Sequence, residues 1–150
     1  MIRIICVGKI KENFYKEAIS EYIKRLSKYT KIDILEIPDL DFDIKTTIKK
    51  EGDAILRIMH NNDYNIVMHI GGFELDSVSL SKKIDEIFCT KSTITFIIGG
   101  SFGLDERIKE KCNLRLSFSK LTFPHQLFRV ILLEQLYRSF KILNNEEYHK

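Results

Sequence analysis

Short apolar runs rich in β-branched residues alternate five times with amphipathic segments along this sequence, and that rhythm leaves few folds open. "IRIICVG" reads as a buried strand. It is followed by "KENFYKEAISEYIKRLSKY", where Phe14, Ala18, Tyr22, Ile23 and Leu26 recur at helical spacing. "KIDILEI" is a second strand stopped at Pro38, and a charged helix over about Ile44 to Met59 is broken by Asn61, Asn62 and Asp63. "YNIVMHIGG" is a third strand that the Gly pair ends. "SVSLSKKIDEIF" is a helix with Ser77 as its N-cap. "STITFIIGG" is almost wholly apolar and therefore central. "LDERIKEKC" is a short helix, "LRLSFS" a fifth strand, and a long helix begins with Pro124 at its first position. Continuous hydrophobic strands alternating with helices predict one compact α/β domain around a mainly parallel sheet.

Composition narrows the function. At 150 residues the chain is long enough for one sizeable core, and a net charge of +3 is too small to announce a polyanion partner by itself. Cys6, Cys89 and Cys112 are far apart and form no CxxC pair, which argues for free thiols in a reducing compartment and against a zinc site or disulfide framework. No other metal-ligand cluster is visible. The opening "MIRIICVGKIKE" lacks the apolar length and cleavage site of a signal peptide, and no stretch approaches a membrane span. A cytoplasmic protein is expected.

Two strands end in Gly pairs, Gly71-Gly72 and Gly99-Gly100, the second within "GGSFG". In parallel sheets, ligands collect beyond the carboxyl ends of the strands, where glycine admits positive φ and close backbone approach. The bland alternative is a tight turn that binds nothing. Neither GxGxxG nor GxxxxGK[ST] is present, which disfavours a dinucleotide-dependent redox enzyme and an NTPase. The segment from Phe118 to Phe123, "FSKLTF", adds the Ser119 and Thr122 hydroxyls and an apolar set of Phe118, Leu121 and Phe123 able to enclose a flat ring. It equally serves as the connection into the last helix.

In that helix Leu127, Val130, Ile131, Leu133, Leu136, Tyr137 and Phe140 cover more than one face, so a second copy of the chain is expected to cover part of it. Glu134 and Arg138 are placed to pair along the helix. His125 and Arg129 lie one turn apart beside the proposed ligand loop. His125 reads either as a backbone-bonded helix residue or as a ligand contact, and Arg129 as a binder of phosphate or another anion. The C-terminal Tyr148, His149 and Lys150 join an aromatic ring, an imidazole and a positive charge, a set suited to an RNA base and its phosphates.

"FIIGGSFG", "LSFSKLTFPHQLFRVILLEQLYRSFKIL" and "YHK" resemble the signature of the ribosomal RNA large subunit methyltransferase H family, in the SPOUT superfamily, and the resemblance runs from "IRIICVGKIKE" to Lys150. It implies an α/β fold with a C-terminal trefoil knot, a homodimer, and methylation by S-adenosylmethionine of the N3 nitrogen of a pseudouridine in large-subunit rRNA on assembled ribosomes. It further implies cofactor contacts at Met68, at Gly99 and across Phe118, Ser119, Lys120, Leu121, Thr122 and Phe123. Near the target nucleotide it implies His125, Arg129, Tyr148, His149 and Lys150. Of these, His149 is the candidate base, with bound water the alternative proton acceptor, while Arg129 or Lys150 favours the deprotonated ring and Tyr148 stacks on or hydrogen-bonds the target base. One departure is visible: Met68-His69 stands where the family has Leu-Asp. The rival from another class is a ribosome-binding factor that kept the fold and lost the cofactor.

Overall fold

A computed structural model describes residues 1–150. Five strands, β1 (Ile2–Val7), β2 (Ile32–Ile37), β3 (Tyr64–Glu74), β4 (Ile94–Ile98) and β5 (Leu114–Ser117), form one sheet in the order β2-β1-β4-β3-β5. Every neighbouring pair is parallel. β4 lies in the middle with all five residues buried, as its unbroken apolar run required. The helices are α1 (Asn13–Leu26), α2 (Ile44–Ile58), α3 (Ser77–Phe88), α4 (Glu106–Lys111) and α5 (His125–Leu143).

Strand periodicity divides the apolar residues between two faces. Ile2, Ile4, Cys6, Ile94, Phe96 and Ile98 point to a core shared with α1, α3 and α5, while Ile5, Val7 and Ile97 meet Ile55 of α2 and Ile108 of α4. α5 lies between α1 and α3. Leu132, Leu133, Leu136 and Phe140 are buried in the same core, and Phe140 stacks on Tyr29 with ring centres 5.6 Å apart. Much of the apolar girth that the sequence assigned to a partner is therefore covered by the chain's own helices. No helix is long and apolar enough to cross a membrane.

Three local readings change. The N-cap of α3 is Asp76, whose carboxylate accepts from the Ser79 amide at 2.7 Å; Ser77 is the first helical residue and donates to Gln135 Oε1. Pro124 occupies the N-cap position of α5, not the first turn. The Gly71-Gly72 pair does not end β3. Met68 and Phe73 both register with Leu116 of β5, so residues 69–72 bulge out of a strand that continues to Glu74. A Cβ on Gly72 would stand 2.7 Å from the Arg115 carbonyl carbon, which is why a residue without a side chain is needed there.

Candidate active site

The carboxyl ends of β3, β4 and β5 frame one open cavity of about 280 Å³, close to the small end of the range for ligand sites. Its floor is Met68, Ile98 and Leu116, buried residues at or next to the ends of three adjacent strand segments. One wall is the turn Gly99–Leu104; the other is the segment Phe118–Phe123 with His125 and Phe128 of α5. The bulge in β3 brings His69 and Ile70 to the rim.

The two walls are built differently. In the first, the Gly103 amide donates to the Gly100 carbonyl at 3.1 Å, and Gly103 takes φ +91°, a left-handed conformation suited to glycine. Gly99 is required for space and not for its φ: a Cβ there would meet Leu104 Cγ at 2.6 Å. In the second wall, Ser117 Oγ donates to the Ser119 carbonyl at 2.9 Å, and the Leu121 amide donates to Ser119 Oγ at 3.0 Å. Phe128 packs against both Phe118 and Phe123, anchoring the segment to α5.

Of the sequence-proposed cofactor contacts, Met68, Gly99, Phe118, Ser119, Leu121, Thr122 and Phe123 line this cavity, and Lys120 does not. His125 lines it too. Burial, then the Arg129 charge, hold its imidazole below the usual histidine range, so it is neutral at pH 7. Burial also lowers His69, helped by Lys109 and Arg115. No carboxylate lines the cavity, and no cluster of side chains is built to hold a metal.

Arg129 sits elsewhere than the sequence placed it. It is 2% exposed and lies below the surface, paired with Glu36 at 2.8 Å and donating to the carbonyls of Val7 and Gly8. Its guanidinium is committed to the fold, with Nε left unpartnered. The C-terminal residues are also apart from the cavity of their own chain. Tyr148 donates to Glu134 Oε1 at 3.1 Å and packs edge-on against Tyr137, while His149 Nδ1 is 3.2 Å from Arg138. Those anchors are nine and thirteen residues beyond His125 on α5, roughly 13 and 20 Å along the axis. Sequence reasoning missed Ile98, Leu104, Leu116 and Phe128. Ile98 was recoverable as the terminal residue of the central strand.

The sequence profile described as "Predicted SPOUT methyltransferase" matches residues 1–149. The ribosomal RNA large subunit methyltransferase H of Clostridium botulinum (strain 657 / Type Ba4) is 50% identical, over 99% of each chain. The protein of that name from Caldicellulosiruptor saccharolyticus is 46% identical over the whole of both. The chain belongs to the ribosomal RNA large subunit methyltransferase H family of SPOUT methyltransferases. Solved structures agree on the fold at low identity. A tRNA (m1G37) methyltransferase from Aquifex aeolicus superposes with a TM-score of 0.52 and 15% identity, covering 91% of this chain and 69% of that one. "A probable methylase family protein from Haemophilus influenzae Rd KW20" gives 0.57 and 11%, covering 99% and 70%. Membership of the SPOUT family implies the knotted C-terminal segment and a methyl donor. The cavity suits one: an apolar floor and aromatic wall for a flat ring, hydroxyls and neutral imidazoles for its polar groups, and a wall of glycine backbone.

Proposed function

We propose that the chain transfers a methyl group from S-adenosylmethionine to the N3 nitrogen of a pseudouridine in large-subunit rRNA, acting on assembled ribosomes in the cytoplasm as a homodimer. The observation that carries this reading is the cavity at the carboxyl ends of β3, β4 and β5, made from the segments that hold the family signature. S-adenosylmethionine supplies a methyl already made electrophilic by its positive sulfur. The protein's own task is alignment and proton removal.

Met68, Ile98 and Leu116 exclude water from below, and the Phe118–Phe123 segment and Gly99–Leu104 turn fix the donor from two sides. The N3–carbon bond forms as the sulfur–carbon bond breaks, and the N3 proton leaves to a base. His149 is that base in our reading, passing the proton to solvent. Tyr148 stacks against the target base, and Lys150 favours the deprotonated ring by its charge. Burial, then Glu134, push the Tyr148 phenol up to about 12, so it remains a hydrogen-bond donor and does not compete as base. Arg129 contributes by holding the fold around the cavity, since its buried position removes it from direct contact with substrate. His125 and His69 offer neutral imidazoles at the cavity edge, His69 in place of the carboxylate implied for the family.

Because Tyr148 and His149 are docked far along their own α5, the tail serves the cavity of the second subunit in this reading. The half-buried Leu127, Val130 and Ile131 of α5, with exposed Phe14 on α1 and Val78 on α3, the helices that flank it, offer apolar surface for that subunit. Primer extension across large-subunit rRNA, after incubating unmodified ribosomes with the protein and S-adenosylmethionine, tests the reaction. A new stop at one pseudouridine is expected, weaker on naked rRNA. No stop on ribosomes, together with no heat on titrating millimolar donor, would replace it with the ribosome-binding factor.

A further inference from the structure

The loop after β1 is held with unusual rigour for a surface connection. The Gly8 carbonyl accepts from buried Arg129, the Ile10 amide donates to Glu36 Oε2 at 3.2 Å, and Glu36 is itself the ion-pair partner of Arg129. At its far end the Lys11 amide donates to Gln126 Oε1 at 2.8 Å, with the Glu12 amide at 3.4 Å from the same atom. Three successive anchors thus fasten residues 8–12 to Arg129 and Gln126 in the first two turns of α5 and to Glu36 of β2, beside His125 in the cavity wall. Cys6 pairs with Ile98, so the loop leaves the sheet alongside the Gly99–Gly100 wall, about one strand spacing away.

What this rigid loop presents is charge. Lys9 and Lys11 are exposed, as is Lys120 in the opposite segment, which runs into the same first turn of α5. The lysines that form ion pairs are Lys28, Lys83, Lys109 and Lys141; these three form none. Lys120 is also the one residue of Phe118–Phe123 that stays out of the cavity lining. The carboxylates at hand are Glu36, already spent on Arg129 and the Ile10 amide, and exposed Glu12 and Asp39, the latter beside Gly8, so three lysines against two free carboxylates leave the rim net positive. Exposed ammonium groups on a fixed frame, unpaired and flanking a small-molecule cavity, match a phosphodiester backbone crossing its mouth.

We propose that Lys9, Lys11 and Lys120 form a phosphate-binding rim that holds the RNA backbone of the substrate across the mouth of the cavity. Arg129 and Gln126 are then positioning residues, acting through the loop they fix. This rests on the RNA substrate argued above and names the part of the chain that grips it.

The test is binding to purified large ribosomal subunits over a KCl series at fixed Mg²⁺, using wild type, the triple variant K9Q/K11Q/K120Q and the triple variant K9R/K11R/K120R. Each lysine on a phosphate contributes about 0.7–0.9 to the slope of log affinity against log salt, so the Gln variant should lose about two units or more and bind roughly a hundredfold more weakly near 0.1 M. The Arg variant should keep the wild-type slope, and all three proteins should bind S-adenosylmethionine equally. A Gln variant with unchanged slope and affinity overturns the rim. Methyl transfer by wild type is scored in the same samples. If it is absent while the slope falls as expected, the methylation reading fails and the rim stands; if it is present while the slope is unchanged, the rim alone fails.

Discussion

Arg129 on α5 and Glu36 on β2 form an ion pair of 2.8 Å, ninety-three residues apart in sequence, with the arginine buried and the glutamate partly open to water. The same guanidinium supplies hydrogen bonds to the Val7 and Gly8 carbonyls at the end of β1. Removing it strands two carbonyls and a half-buried charge. Arg129→Met is expected to cost about 3 kcal/mol, the low end for breaking a buried pair because Glu36 retains solvent contact. For a chain of this size that lowers the melting temperature by roughly 6–12 °C. Calorimetry checks it, and an unchanged transition would mean that the clamp contributes nothing.

Gly99 and Leu104 make a second prediction. A methyl on Gly99 would lie 2.6 Å from Leu104 Cγ and 3.2 Å from the Gly103 carbonyl carbon, so Gly99→Ala must push the 100–104 turn into or away from the cavity. Donor affinity should fall by at least tenfold with a smaller change in stability. Adding Leu104→Ala makes room for the methyl and should recover part of the loss, which titration of both variants will show as non-additivity.

The tail supplies a third. Deleting Tyr148–Lys150 should abolish methyl transfer and leave donor affinity intact. If one subunit's tail serves the other's cavity, mixing this deletion variant with Gly99→Arg, each inactive alone, should restore activity through mixed dimers. A mixture as inactive as its components would place both parts of the site in one subunit.

His69 and His125 give a pH dependence whose sign is fixed. Both have folded-state pKa values below the ordinary 6.5, through burial first and then neighbouring positive charge. The unfolded chain therefore takes up these protons before the native chain does. Their contribution to stability is complete above pH 6.5 and is lost as pH falls below it. Melting temperatures measured between pH 7.5 and 5 should decline on the acid side, and the variant carrying His69→Gln and His125→Gln should show a flatter profile.

The alternation of strands and helices was legible because β4 and β1 are buried on both faces and are apolar except for Arg3 and Thr95. The cavity walls were legible because glycine and the Phe118–Phe123 segment are distinctive in composition. What escaped was anything set by contacts between distant segments. Nothing near Gly71-Gly72 says that Arg115 backbone will pass within van der Waals range, so a bulge reads as a strand end. Arginine is ordinarily a surface residue, and the carbonyls of Val7 and Gly8 that draw Arg129 inward lie more than 120 residues away. Asp76 and Ser77 are both good capping residues, and only the hydrogen bond to Ser79 separates them.

The most direct measurement is a crystal structure of the protein soaked with S-adenosylmethionine. Density for the donor is expected against Met68, Ile98 and Leu116, between the Gly99–Leu104 turn and the Phe118–Phe123 segment. Density at any other place on the molecule, with this cavity left to solvent, would contradict the account.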